Sequence, residues 1–75
     1  MRHVSSLIDR MRLEAPEMNR AERNVAEIIL ADIDGAARIS TRDLATQAHV
    51  SEPTVVRFAR RMGCDGFTDF KIRLA

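Results

Sequence analysis

Apolar positions recur along almost the whole chain with a helical period rather than the alternation of a strand. Val4, Leu7, Ile8 and Met11 follow the i, i+3, i+4, i+7 spacing of one helix face, with Arg2, Asp9, Arg10 and Arg12 largely off that stripe. This predicts a first helix of about ten residues. It stops before Pro16, whose ring cannot continue it. Asn19-x-x-Glu22 has the form of an N-cap with its capping-box partner, and Ala21, Val25, Ile28 and Ile29 supply the apolar face of a second helix reaching about Ala31. Leu30 and Ile33 widen that face. Residues 32–38 lose the periodicity around Gly35, so a connection with room for a short helical turn is expected there.

From Ser40 onward the signals become dense. Ser40 is an N-cap candidate with Asp43 three residues on, and Leu44, Ala45 and Ala48 share one face of a short third helix. Only His49 and Val50 intervene before a second N-cap, Ser51. Glu52 then suits the positive end of a new helix, and Pro53 sits early, where its missing N–H costs nothing. This fourth helix spans 51–62, buries Val55, Phe58, Ala59 and Met62, and meets Gly63 where a left-handed C-terminal cap is expected. Gly66 precedes Phe67, Phe70 and Leu74, whose i, i+3, i+7 spacing marks a fifth helix running to the chain end. The expected fold is all-α, a compact five-helix bundle.

Helices three and four are joined too tightly for side-by-side antiparallel packing. The connection Ala48-His49-Val50-Ser51 suits instead the steep crossing of a helix-turn-helix over about 41–62. Such a crossing needs a small residue facing the second helix, a turn residue that tolerates positive φ, and an apolar plug. Ala45, His49 and Val50 supply these in order. Histidine is less easily placed there than glycine, but it is among the non-glycine types enriched at positive φ. Counting Thr41 as the first residue, Ala45, Val50, Val55 and Phe58 fall at places 5, 10, 15 and 18, the spacing expected for this motif.

With the stripe of the fourth helix buried, its opposite face carries Glu52, Pro53, Val56, Arg57 and Arg60, and Ser51 and Thr54 stand at the leading end. That face can enter a DNA major groove. Arg57 lies one turn in, where arginine can form a bidentate pair with guanine O6 and N7, and is the candidate base reader. Ser51, Thr54, Arg60 and Arg61 are placed for phosphate oxygens, as are Ser40 and Thr41 with the backbone N–H groups of the preceding helix. Glu52 can accept from a cytosine amino group or serve the helix dipole. The plainer reading of Arg60 and Arg61 is a solvated helix face.

Composition narrows the class further. A chain of 75 residues with 45% hydrophobic and 31% charged side chains can hold one core and no second. The net charge of +1 conceals an asymmetry: residues 1–39 carry six Arg against seven acids, and residues 40–75 carry five Arg and one Lys against four. The basic excess falls on the part with the paired helices. No apolar run approaches the roughly 20 residues that span a bilayer, and the N-terminus lacks a signal-peptide pattern, so a cytoplasmic protein without membrane contact is expected. Cys64 is the single cysteine. It cannot form an internal disulfide, and with His3, His49 and scattered carboxylates it lacks metal-ligand spacing, so neither metal nor cofactor is expected. Arg60 and Arg61 lie near enough in sequence to favour a redox-sensing thiolate, but the plainer reading of Cys64 is a small residue beside a glycine turn. There is no nucleophile–base pair and no glycine-rich phosphate loop, so an enzyme is not expected.

The run Ser51-Glu52-Pro53-Thr54-Val55-Val56-Arg57-Phe58, then Arg61-Met62-Gly63 and Gly66-Phe67-x-Asp69-Phe70-Lys71, resembles the N-terminal domain of RpiR-family transcriptional regulators. Asn19-x-Ala21-Glu22-Arg23-x-Val25-Ala26-x-x-Ile29-Leu30 resembles that family's second helix, and Ser40-x-x-Asp43-Leu44-Ala45 its third. The departures are His49, where the family commonly has glycine, and Asn19, where serine or threonine is usual. The resemblance implies a bacterial regulator that binds double-stranded DNA and controls sugar or phosphosugar catabolism genes, as repressor or activator. It places recognition on Ser51, Thr54, Arg57 and Arg60. It also implies a homodimer, and a phosphosugar effector bound by a C-terminal sugar-isomerase-like domain that these 75 residues do not include. The chain is accordingly expected to be the DNA-binding portion of such a regulator. The apolar stripe of the first helix could either face a partner subunit or close the monomer core. The competing class is a small helical protein-interaction module without DNA binding, since helix-turn-helix units also serve as scaffolds.

Overall fold

The computed structural model describes the backbone of residues 3–75 and the side chains of residues 7–75. The Arg2 and Val4 positions of the expected first-helix pattern lie outside the described side chains. Helix α1 (His3–Glu14) runs into a single 3-10 turn over Ala15–Glu17, with Pro16 where the α-helix can no longer continue. Then follow α2 (Arg20–Ala31), α3 (Ile33–Ala36), α4 (Thr41–Ala48), α5 (Glu52–Arg61) and α6 (Phe67–Leu74). The described residues contain no strand.

The sixth helix beyond the five expected is α3, a single turn in the connection around Gly35. Asp32 creates it, because its side chain accepts the Gly35 N–H at 3.0 Å and so caps a turn too short to show periodicity. A Cβ at Gly35 would run into that same carboxylate, which would have to swing off its cap to make room.

Side-chain caps start α2, α4 and α5 as their sequences suggest. Asn19 accepts the Glu22 N–H at 2.8 Å, Ser40 the Asp43 N–H at 3.0 Å, and Ser51 the Thr54 N–H at 3.3 Å. The Glu22 carboxylate does not complete a capping box, because it is drawn to Arg61 of α5 at 3.3 Å. Helix α4 ends with His49 at φ 59°, ψ 44°, in the left-handed region. Helix α5 ends ahead of Gly63 at φ 89°. Both ends carry the paired bonds of a Schellman motif: Val50 N–H to Ala45 O with His49 N–H to Thr46 O, and Cys64 N–H to Ala59 O with Gly63 N–H to Arg60 O.

The core lies where α2, α4 and α5 meet and where α6 closes the far side. Met11, Val25, Ile29, Leu44, Val55, Phe58 and Phe70 are its largest fully buried side chains. Phe58 meets Phe70 edge-on at 5.7 Å between centroids, and Phe67 stacks on Phe70 at 5.7 Å. Lys71 sits over the Phe67 ring at 5.2 Å and donates to the Ile39 carbonyl at 2.9 Å, tying α6 to the entrance of α4. Cys64 is buried beside this cluster, and its burial pushes the thiol pKa up, with Arg73 pulling the other way. That environment fits a packed small residue rather than a reactive thiolate.

Candidate nucleic-acid interface

The paired helices place the candidate residues through two separate devices. The Schellman end of α4 turns the chain at His49, and the buried stripe Val55, Phe58 and Ala59 fixes the rotation of α5 about its own axis. Once that stripe faces inward, the remaining face of α5 must point out. Thr41, Glu52, Pro53, Val56, Arg57 and Arg60 line one shallow, open depression on this side. Thr41 comes from the first turn of α4, so the N-terminal ends of both helices border the same surface.

Within this face the arginines differ in what holds them. Arg57 donates from Nη2 to the Thr54 Oγ1 at 3.1 Å and leaves the rest of its fork outward. Arg60 donates from Nε to the Asp65 carbonyl at 3.2 Å, which ties its stem to the loop after α5. Glu52 and Pro53 are exposed at the leading turn, and Ser40 and Ser51 are exposed caps.

Two expected contact residues are engaged within the protein instead. Thr54 is only 7% exposed, with its hydroxyl between Ser51 Oγ at 2.9 Å and Arg57. Arg61 points back across the molecule, to Glu14 of α1 and Glu22 of α2, both at 3.3 Å. The i+1 step from Arg60 to Arg61 rotates the side chain by about 100° on a helix, enough to carry it off the exposed face.

The supports of the motif come from residues that local pattern did not single out. Arg10 on α1 donates to the Arg61 and Met62 carbonyl oxygens at 3.0 and 3.3 Å, placing a cation at the negative end of α5. Glu14 joins Arg10 at 2.7 Å, and this hydrogen bond is the main cause that holds its carboxyl below the ordinary range. Asn24 of α2 donates to the Ala48 carbonyl at 3.4 Å, just ahead of the turn. Apart from the i,i+4 pair of Arg10 and Glu14, these partners stand 24 to 52 positions apart, beyond the reach of any periodicity.

The described residues contain no group of three or more His, Cys, Asp and Glu able to hold a metal ion. No helix among them is long and apolar enough to cross a membrane.

The profile of the helix-turn-helix domain of the rpiR family matches residues 5–75. The chain belongs to that family. It is similar to the HTH-type transcriptional regulator HexR of Pseudomonas aeruginosa, 44% identical over 72 residues, and to HexR of Escherichia coli K12, 43% identical over 70 residues. These matches cover 96% and 93% of this chain but only 25% and 24% of the HexR proteins. The bifunctional protein glk of Paraburkholderia xenovorans is 39% identical over 71 residues, which is 95% of this chain and 11% of glk. The crystal structure of the N-terminal domain of ybbH from Bacillus subtilis, a proposed transcriptional regulator, has a TM-score of 0.85 at 25% identity. It covers 91% of this chain and 83% of that one. The chain thus spans about a quarter of the HexR relatives. This rpiR-type domain is a DNA-binding domain of transcription regulation.

Proposed function

We propose that this rpiR-type domain lays α5 in the major groove of double-stranded DNA, with Arg57 reading guanine and the ends of α4 and α5 seated on flanking phosphates. The observation that carries this reading is the shared open face formed by Thr41, Glu52, Pro53, Val56, Arg57 and Arg60. Arg57 sits one turn into the helix, where base edges are met. Ser40, Thr41, Ser51 and Arg60 take phosphate oxygens, and Glu52 faces a cytosine amino group or the helix dipole. Thr54 and Arg61 hold the helix and its reading side chain in place.

The wider setting rests on the family resemblance. It is a cytoplasmic bacterial regulator of sugar or phosphosugar catabolism genes, homodimeric, with its effector bound by a domain outside these 75 residues. Self-association is supported by Leu13 of α1 and Ile72 of α6, exposed by 79% and 71% on two helices that pack on each other.

Fluorescence anisotropy with a labelled random duplex tests the reading. Binding is expected to weaken steeply as salt rises, with a log–log slope of about −0.9 per phosphate contact. Absence of binding at low salt would refute it and leave a protein-interaction module.

A further inference from the structure

The buried hydroxyl of Thr54 joins two exposed groups that the proposed docking places on DNA. Arg57 Nη2 lies 3.1 Å from Thr54 Oγ1, and Thr54 Oγ1 lies 2.9 Å from Ser51 Oγ. The directions of these bonds follow from hydrogen-bond inventory. A guanidinium can only donate, so Thr54 Oγ1 accepts from Arg57. Ser51 Oγ already accepts the Thr54 backbone N–H at 3.3 Å. If Ser51 also donated to Thr54, the Thr54 hydrogen would need another acceptor in a site that is 7% exposed. No other bond to that oxygen is made among the described residues. The arrangement that satisfies every group runs one way: Arg57 donates to Thr54, and Thr54 donates to Ser51. The Ser51 hydrogen is then turned outward, at the exposed N-terminal end of α5.

We propose that Thr54 is a positioning residue that aims both of its neighbours, fixing the Arg57 guanidinium for base reading and presenting Ser51 as a hydrogen-bond donor to a phosphate oxygen. The three donors run in one direction, from Arg57 through Thr54 to Ser51 and so to the anionic ligand, and each bond polarises the next in the same sense. The Arg57 fork keeps four of its five N–H groups for DNA while losing the rotamer freedom that would blur a bidentate pair. This inference rests on the major-groove docking of α5 proposed above.

The test uses the 75-residue chain, a duplex selected by it from a random library, and an unrelated duplex of equal length. The readout is the ratio of affinities for the two duplexes, together with thermal melting. Thr54→Val removes the hydroxyl and nearly keeps the shape, and is expected to lower the ratio about tenfold, within the range of one bidentate base contact. Thr54→Ser restores the relay and the ratio. In an Arg57→Ala background, Thr54→Val is expected to leave the ratio unchanged, because its effect passes through Arg57. If Arg57→Ala lowers the ratio and Thr54→Val does not, the positioning role is overturned while base reading stands. An unchanged ratio in Arg57→Ala, or failure to select any duplex, overturns base reading and this role with it. Equal loss on both duplexes in step with lower melting would show Thr54 to be structural only. If Thr54→Val does not fold, Thr54→Ala serves in the same comparison, and failure of both to fold also overturns the positioning role.

Discussion

Arg10 Nη2 lies 3.0 Å from the carbonyl oxygen of Arg61, joining α1 to the C-terminal end of α5 across 51 positions of sequence. The last carbonyls of a helix lack intrahelical donors and form its negative pole. A guanidinium there satisfies one of them directly and holds the reading helix from its far end. Arg10→Ala is expected to lower stability by about 1 kcal/mol, the scale of a partly exposed charged hydrogen bond. For a domain of this size that is roughly 4–8 °C in melting temperature. An unchanged melt would show that α5 is held by its buried stripe alone.

His49 makes the turn with φ 59°, where a β-branched residue is strained and glycine is not. His49→Gly is expected to melt within a few degrees of the parent, since relief of strain is offset by the added freedom of the unfolded chain. His49→Val is expected to lose more than about 1 kcal/mol. Thermal denaturation of the two variants decides it, and equal melting of both would contradict a fixed left-handed turn.

Glu14 links the charged cluster behind α5 to pH. The Arg10 hydrogen bond is the main cause that holds its carboxyl below the ordinary glutamate range, helped by the Arg10 and Arg61 charges and opposed by partial burial. The unfolded chain therefore takes up this proton more readily. The contribution is full above the ordinary glutamate range and is lost as pH falls through that range and then through the lower folded value. Urea denaturation across acidic pH should show a shallower decline for Glu14→Gln than for the parent, the two converging at the lowest pH. Parallel curves would place the acid sensitivity elsewhere.

Much of this fold was legible because its decisive signals are local. The N-caps Asn19, Ser40 and Ser51, the stop at Pro16 and the left-handed cap at Gly63 each act within four residues, and the stripe Val55, Phe58 and Ala59 sets the rotation of α5 by its own periodicity. The single-turn α3 was legible only as room for a short helical turn in a connection, because a helix of four residues has no period to detect. In the candidate interface, the outward face of Glu52, Pro53, Val56, Arg57 and Arg60 followed directly from the inward stripe. What adjacent sequence could not separate was Arg60 from Arg61, or a buried Thr54 from an exposed Ser51. The first distinction depends on Glu14 and Glu22, brought in from other helices by tertiary packing, and the second on which side of the first turn of α5 is buried.

Parallel selection from a random duplex library by the parent chain and by Arg57→Ala tests whether the Arg57 face of α5 reads DNA sequence. The parent is expected to enrich a defined motif containing guanine. The variant should retain helicity and salt-sensitive binding but lose preference at that position, a difference of about 1–3 kcal/mol. The same motif recovered by both proteins with equal strength would contradict base reading by Arg57.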